Sequence, residues 1–411
     1  MQKIGSFFSS KAFMVVVSFL GLYLISAGGT WALFTYVNEA PASTISLGEL
    51  QDKRSAIADL PKTEECPING KLYSEPERQI WEERRPATVI VQNHPEARPL
   101  SGISQADVVY EAVAEGGVTR FLGVFYCGVS VENLKVAVIR SARVYFIDWA
   151  AEYGKNPIFL HWGGANSICK TCPGGVKPKS QIAPEVNAYA LLSKLGWMNG
   201  KSGNDMNGGT NVGYPVVQRE PNRISDEDAP FEHQPVAFTD AIFEEAANRG
   251  FAYEDSEGDE WTTGYQPWRF ADDNPSGSPK AAKISYEFWR NKSDFDVTWE
   301  YDSSDNSYKR STGGEPFTDW EFDNEQIAAK NVVVQFIKER GPVDTEKHMY
   351  YETIDEGDAL IFQNGEVVEA TWEKESTLDR TKFYDENGKE IEFVRGAIWI
   401  AAVPAGNDVD Y

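Results

Sequence analysis

The chain has 411 residues, 41% of them hydrophobic and 13% aromatic, so it can fill packed cores and wholesale disorder is excluded. Its formal net charge of −24 repels phosphate backbones, which excludes nonspecific nucleic-acid binding. The length suits two or three domains.

Residues 1–11 carry Lys3 and Lys11 and no acid. Residues 12–37 hold no charge and include AFMVVVSFLGLYLI. A helix of about 25 such residues would span the ~30 Å hydrocarbon core. Basic residues precede the run and Glu39, Glu49 and Asp52 follow it, so the N-terminus is expected in the cytoplasm and the bulk outside. A cleaved signal peptide competes, but its apolar region would normally be only ~7–15 residues long. Residues 38–85 read as an extracytoplasmic tether without sustained periodicity.

Residues 86–251 read as an α/β domain. ATVIVQN is a strand, and HPEARPLSG follows as a punctuated loop. DVVYEAVA and TRFLGVFYC are two strands joined through EGGV. KVAVI, the helical SARVYFIDWAAEY with Ser141 as candidate N-cap, and PIFLHW give strand, helix, strand, the pattern of a βαβ unit. Helices are expected near 184–195 and at 238–250, the latter with Thr239 as N-cap and Gly250 as stop.

Residues 252–283 are acidic and Pro/Gly-rich, a linker by composition. Residues 284–404 then alternate in strand fashion around SSDN, Asn364-Gly365 and Asn387-Gly388, so the second domain is expected to be mostly antiparallel β, with 405–411 as a tail. The fold class is α+β: an N-terminal transmembrane helix, an α/β first domain and a β-rich second domain.

Several long phrases resemble the YerB-like lipoproteins of the bacterial cell envelope. They are VQNHPEARPLSGISQADVVYEAVAEGGVTRF, VIRSARVYFIDWAAEY and FLHWGG in the first domain, and VTWEYDSSDNSYKRS, AKNVVVQF, ALIFQNGEVVEATWEKES, TKFYDENGKEI and GAIWI in the second. The resemblance implies an envelope-anchored, two-domain protein of unknown biochemical function and supplies no catalytic residues. The chain departs from the pattern in its apolar anchor, which replaces a lipid-bearing cysteine. It departs again in the inserted Cys169–Cys172 segment and in PFEHQPVAFT, which matches the His-containing segment of relatives only loosely.

The candidate chemistry concentrates between Asp107 and Gly164. Arg140 and Arg143 flank Ser141 at a strand-to-helix junction, an arrangement suited to a carboxylate or phosphate, with Arg120 as a further cation. The plainer reading pairs each Arg with Asp107, Glu111 or Glu115. Those acids recur every fourth residue, and two of them could work as acid and base on a glycoside or stand as a salt-bridged row. His161 ends a strand ahead of Gly163 and Gly164, where α/β sheets place ligands, and His94 sits similarly after an earlier strand. His94, His161 and His233 could converge on a metal, but their spacing carries no ligand signature, so neither a metal nor a cofactor is expected. A Ser141–His161 triad lacks the G-x-S-x-G elbow. Cys169 and Cys172 are candidates for a short disulfide, or for bridges to Cys66 and Cys127. Trp162, Trp261, Trp268, Trp299, Trp320 and Trp372 offer rings for sugars or for the core.

These features point to a membrane-anchored extracytoplasmic module that binds a cell-wall polymer or an envelope protein. A hydrolase or transferase acting on a glycan or phosphodiester competes, using Arg140, Arg143, His161 and a carboxylate such as Asp107 or Glu111. That reading requires these side chains to meet in one cleft. A structural role, with the second domain as a docking barrel, is a third reading.

Overall fold

The structure, a computed structural model, describes residue 57 and residues 60–411 except residue 226; residues 54–411 gather into one compact unit. The anchor expected at 12–37 lies outside the described residues. Among those described, no helix is long and apolar enough to cross a membrane.

Folded chain begins inside the stretch expected as a tether. β1 (Glu64–Glu65) pairs antiparallel with β2 (Leu72–Tyr73), and α1 (Glu75–Trp81) follows, opened by a capping box between Ser74 and Glu77. Cys66, Ile68 and Trp81 are buried, and Cys66 is disulfide-bonded to Cys127. The tether reading fails from residue 60 onward. A distant disulfide and the rings of Tyr73, Trp81 and Tyr126 supply a burial that local periodicity does not announce.

β3 (Ala87–Gln92), β4 (Val108–Glu115) and β5 (Val118–Phe125) form the centre of the fold. All six residues of β3 are buried, as expected of a strand covered on both faces. Gly116 and Gly117, both at positive φ, close the β4–β5 hairpin. β6 (Lys135–Ala137), α2 (Val144–Ala150) and β7 (Ile158–His161) come next, then α3 (Ala188–Lys194), β8 (Asp205–Asn207), β9 (Val217–Arg219), β10 (Pro235–Phe238) and α4 (Thr239–Asn248). The expected βαβ unit does not form within one sheet. β6 joins a separate three-stranded sheet, β6-β10-β9, whereas β7 lies parallel to β3. Thr239 opens α4 from within, and its Oγ1 accepts a hydrogen bond from the Leu134 N–H instead of capping the helix.

Residues 252–283 are not a free linker. Trp261 and Trp268 are buried, and their indole N–H groups donate to the Tyr126 hydroxyl and the Thr381 carbonyl. Beyond them come β11 (Lys283–Tyr286), β12 (Val297–Asp302), β13 (Ser307–Thr312), β14 (Asn331–Ile337), β15 (Glu356–Gln363), β16 (Glu366–Glu373), β17 (Lys382–Asp385) and β18 (Ile398–Pro404). β12 and β13 form the SSDN hairpin, and β15 and β16 turn through Asn364 and Gly365, both at positive φ.

The fold is mostly β, with few helices and with mixed and antiparallel sheets in a two-domain arrangement. Its largest sheet runs β17-β16-β15-β14-β18-β4-β5-β3-β7-β8. The halves meet inside that sheet, where β18 lies parallel to β4 with Ile398 opposite Val108. β14, β18, β4, β3, β7 and β8 all run one way, so their carboxyl ends share one edge.

Candidate carboxyl-edge site

That edge is where open sheets with parallel strands place ligands. β3 ends in Gln92, Asn93 and His94, and the β4–β5 hairpin brings Glu115 and Arg120. The junction after β6 supplies Arg140, Ser141 and Arg143, and β7 ends in His161 ahead of Trp162 and Gly163. The β9–β10 segment adds Arg219, Glu232 and His233.

Three of the candidate arginines gather here, and Glu115 consumes two of them. Arg143 Nη2 lies 2.5 Å from Glu115 Oε2, and Arg120 Nη2 lies 3.0 Å from Oε1. Burial raises the Glu115 pKa, but the two guanidiniums outweigh it and hold the carboxyl well below its ordinary range. Arg120 Nη1 also donates to the Ser141 carbonyl. Ser141 Oγ donates to the Trp162 carbonyl at 3.0 Å, so it ties the two loops together and does not cap α2, whose N-cap is Arg143.

Arg140 differs. It is half-buried and has no side-chain hydrogen bond or ion pair within bonding distance among the described residues. Burial lowers its pKa, while Glu115 and Glu232 act on it only through space. Nearby, the Arg219 guanidinium lies 3.6 Å from the Phe231 ring centroid and 4.7 Å from that of Trp162. Phe231 is exposed and Trp162 half-buried, so this cation sits between rings that partly face solvent.

His161 has no freedom for proton transfer. It is fully buried, with Nδ1 2.6 Å from the Gly163 carbonyl and Nε2 2.6 Å from Asp205 Oδ1. Gly163, at positive φ, donates its N–H to Asn207 Oδ1, and Asn207 in turn bonds Tyr189. A Cβ on Gly164 would fall 2.8 Å from the Tyr189 ring, so both glycines shape the loop.

Asp107 and Glu111 do not join the edge. Asp107 accepts from the backbone N–H groups of Tyr126, Cys127 and Gly128 and from Asn69 Nδ2. Burial pushes its carboxyl up to about 7 against the pull of those backbone donors. Glu111 meets Arg310 in a two-pronged pair at 2.8 and 3.0 Å, both side chains fully buried. The acid–base reading therefore loses Asp107, Glu111, Arg143 and His161 to structural partners. Five of the six named tryptophans are likewise not free platforms in one place: Trp261, Trp268, Trp299 and Trp372 are core, and Trp320 is exposed elsewhere, beside Leu100.

His94 and His233 do meet, their rings stacked at 5.2 Å between centroids, while His161 stays apart with Asp205. Sequence reasoning missed Arg219 and Glu232 because VVQRE and PFEHQ carry no motif, and Gln92 and Glu96 because they flank His94 in VQNHPEAR without a ligand spacing of their own. The signal at hand was the pair His94 and His233 among four histidines. The thiols form Cys66–Cys127 and Cys169–Cys172.

Residues 72–184 match the family model described as protein of unknown function (DUF3048) N-terminal domain, and residues 284–400 match its C-terminal domain. The chain is 28% identical over 355 residues to the "Putative lipoprotein YerB" of Bacillus subtilis (strain 168), covering 86% of this chain and 90% of that one. It is also similar to the crystal structure of YerB protein from Bacillus subtilis, with a TM-score of 0.63 and 26% identity over 85% of this chain and 100% of that one.

Proposed function

The chain belongs to the DUF3048 family, and from that premise we propose that it is a membrane-anchored envelope protein that binds an anionic cell-wall polymer at the carboxyl edge of its large sheet. Residues 12–37 are its single anchor, with the N-terminus cytoplasmic and the folded body outside. The name of the Bacillus subtilis relative, a lipoprotein, supports membrane attachment as a general arrangement. The observation that carries the binding reading is Arg140: a half-buried guanidinium with no acid in bonding distance among the described residues, beside two arginines that share the single carboxylate of Glu115. A bound phosphate or carboxylate would supply the missing partner. The Trp162–Arg219–Phe231 stack offers faces for an adjoining sugar ring.

The test is co-sedimentation of residues 54–411 with isolated cell-wall material, with soluble fragments measured in parallel. Arg140→Ala should weaken sedimentation by about tenfold or more, the scale of one charge-assisted contact, and leave the unfolding midpoint unchanged. Sedimentation that is absent, or equal in the variant, refutes the proposal. Fragment release that Arg140→Ala abolishes would replace it with an enzyme reading.

A further inference from the structure

We propose that His94, Glu96 and His233 form a site for a divalent transition metal of the zinc class. The three reach one point from separate segments. His94 follows β3, Glu96 lies in the 3₁₀ turn Pro95–Ala97, and His233 ends the 3₁₀ turn Phe231–His233 ahead of β10. One ligand atom from each falls within 4.8 Å of the others. His233 Nε2 is 3.4 Å from Glu96 Oε2, and His94 Nδ1 is 3.9 Å from the same oxygen. Ligand atoms around a tetrahedral zinc with bonds of about 2.0–2.1 Å stand roughly 3.3–3.4 Å apart. One contact is already at that spacing, and the other closes with a shift of about half an ångström.

The hydrogen bonding fits the ligand form of both rings. His233 Nδ1 lies 3.1 Å from Gln92 Oε1, so Nδ1–H donates to the amide oxygen. That leaves Nε2 facing the Glu96 carboxylate, a contact completed either by a proton on Nε2 or by a cation held between the two. A second-shell acceptor on the far nitrogen is the usual way to orient a metal-binding imidazole. His94 Nδ1 accepts the Glu96 backbone N–H at 3.3 Å, so it also presents a lone pair, and a metal bond would displace this long contact.

Two nitrogens and one carboxylate oxygen suit zinc and its neighbours better than calcium or magnesium. Glu96 and His94 are partly exposed, at 65% and 37% of their side chains, so a fourth position opens to solvent. Glu232 and Arg140 border the site electrostatically. The acidic group Asp255, Glu257 and Asp259 makes an internal contrast. It offers oxygen alone, and the Lys155 ammonium already sits among its carboxylates.

The test uses residues 54–411, stripped with chelator and titrated calorimetrically with zinc chloride, while the imidazole resonances are followed by NMR. The chain has four histidines, so the resonances are few enough to assign. One equivalent should bind, shifting His94 and His233 but not His161 or His348. His94→Gln and Glu96→Gln, both partly exposed and so safe for folding, should each weaken binding at least tenfold, and Asp259→Asn should not. Gln92→Leu should weaken it by about tenfold or more through the lost Nδ1–H acceptor. Absent binding, binding unchanged in His94→Gln, shifts at His161 or His348, or loss in Asp259→Asn would each overturn the assignment. Metal alone is the probe, so the result does not depend on any wall polymer.

Discussion

Replacing Glu111 by alanine should destabilise the folded body by about 4 kcal/mol. Glu111 and Arg310 are both fully buried and share two hydrogen bonds, at 2.8 and 3.0 Å. Thr119 Oγ1 and Trp399 Nε1 also donate to the same carboxylate, at 2.9 and 3.1 Å. Around the guanidinium stand the rings of Trp399, Phe317, Trp299 and Phe121, with centroids 4.5–5.7 Å away. Removing the carboxylate strands a cation among these rings and leaves two further donors without acceptors. Breaking one side of such a pair costs about 3–5 kcal/mol, a large share of the roughly 5–15 kcal/mol that holds a typical domain. The ring faces recover part of the charge's cost, by about 0.5–2 kcal/mol, which argues against the top of that range. Equilibrium urea unfolding, followed by circular dichroism and tryptophan fluorescence, measures the loss. Glu111 lies on β4 and Arg310 on β13, so signals from both halves should shift together. The double variant Glu111→Leu with Arg310→Met should return to within about 2 kcal/mol of the parent, because a buried pair costs desolvation that apolar residues avoid. A single-variant loss under about 1 kcal/mol, or a double variant as poor as the sum of the singles, would refute this reasoning.

The two disulfides should differ in worth. Cys66–Cys127 closes a separation of 61 residues, and chain entropy puts its contribution near 4 kcal/mol; replacing both with alanine should lower the urea midpoint strongly. Cys169–Cys172, separated by 3 residues in an exposed loop, should be worth about 2 kcal/mol or less in the same assay. Glu115→Gln should cost about 1–2 kcal/mol at pH 7, discounted because the carboxylate side chain is 40% exposed. Its folded pKa is depressed below the ordinary 4.5, so the contribution is present above that value and fades as pH falls below it. Unfolding curves at pH 7 and pH 3 should show the parent–variant gap narrowing in acid, and a gap that widens would contradict the assignment.

Much of the fold was legible where the signal was local. Asn364-Gly365 and Gly116-Gly117 marked their hairpins because only a few residues tolerate those backbone angles. The segment before residue 86 was misjudged because its burial depends on Cys127 and Tyr126, far along the chain. The strand-helix-strand order misled for a related reason: β6 finds its partner in β10, about a hundred residues away, and not in the sheet holding β7. At the site, the arginine cluster was legible because Arg120, Arg140 and Arg143 lie beside strand ends that converge. The roles of Asp107, Glu111 and His161 were not, since their partners Asn69, Arg310 and Asp205 stand 38, 199 and 44 residues off. A buried acid that satisfies a distant cation and an acid poised for catalysis look alike in one dimension.

The charge of the whole body bears on how an anionic polymer could reach Arg140 at all. A chain with a net charge of −24 repels a polyanion at long range, while the Arg140–Arg219 region attracts it only at contact. Salt separates the two effects. Near physiological ionic strength the screening length is about 8 Å, which removes most of the body's repulsion yet leaves a half-buried guanidinium's hydrogen bonds largely intact. Wall binding should therefore strengthen as salt rises from about 10 mM toward 150 mM, where the screening length falls from roughly 30 Å, and weaken again toward 1 M as the contact itself is screened. A cationic groove that gathers polyanions from a distance would instead lose affinity monotonically with salt. Co-sedimentation across that series distinguishes them, and a monotonic fall would place the binding surface on some basic patch other than the Arg140 edge.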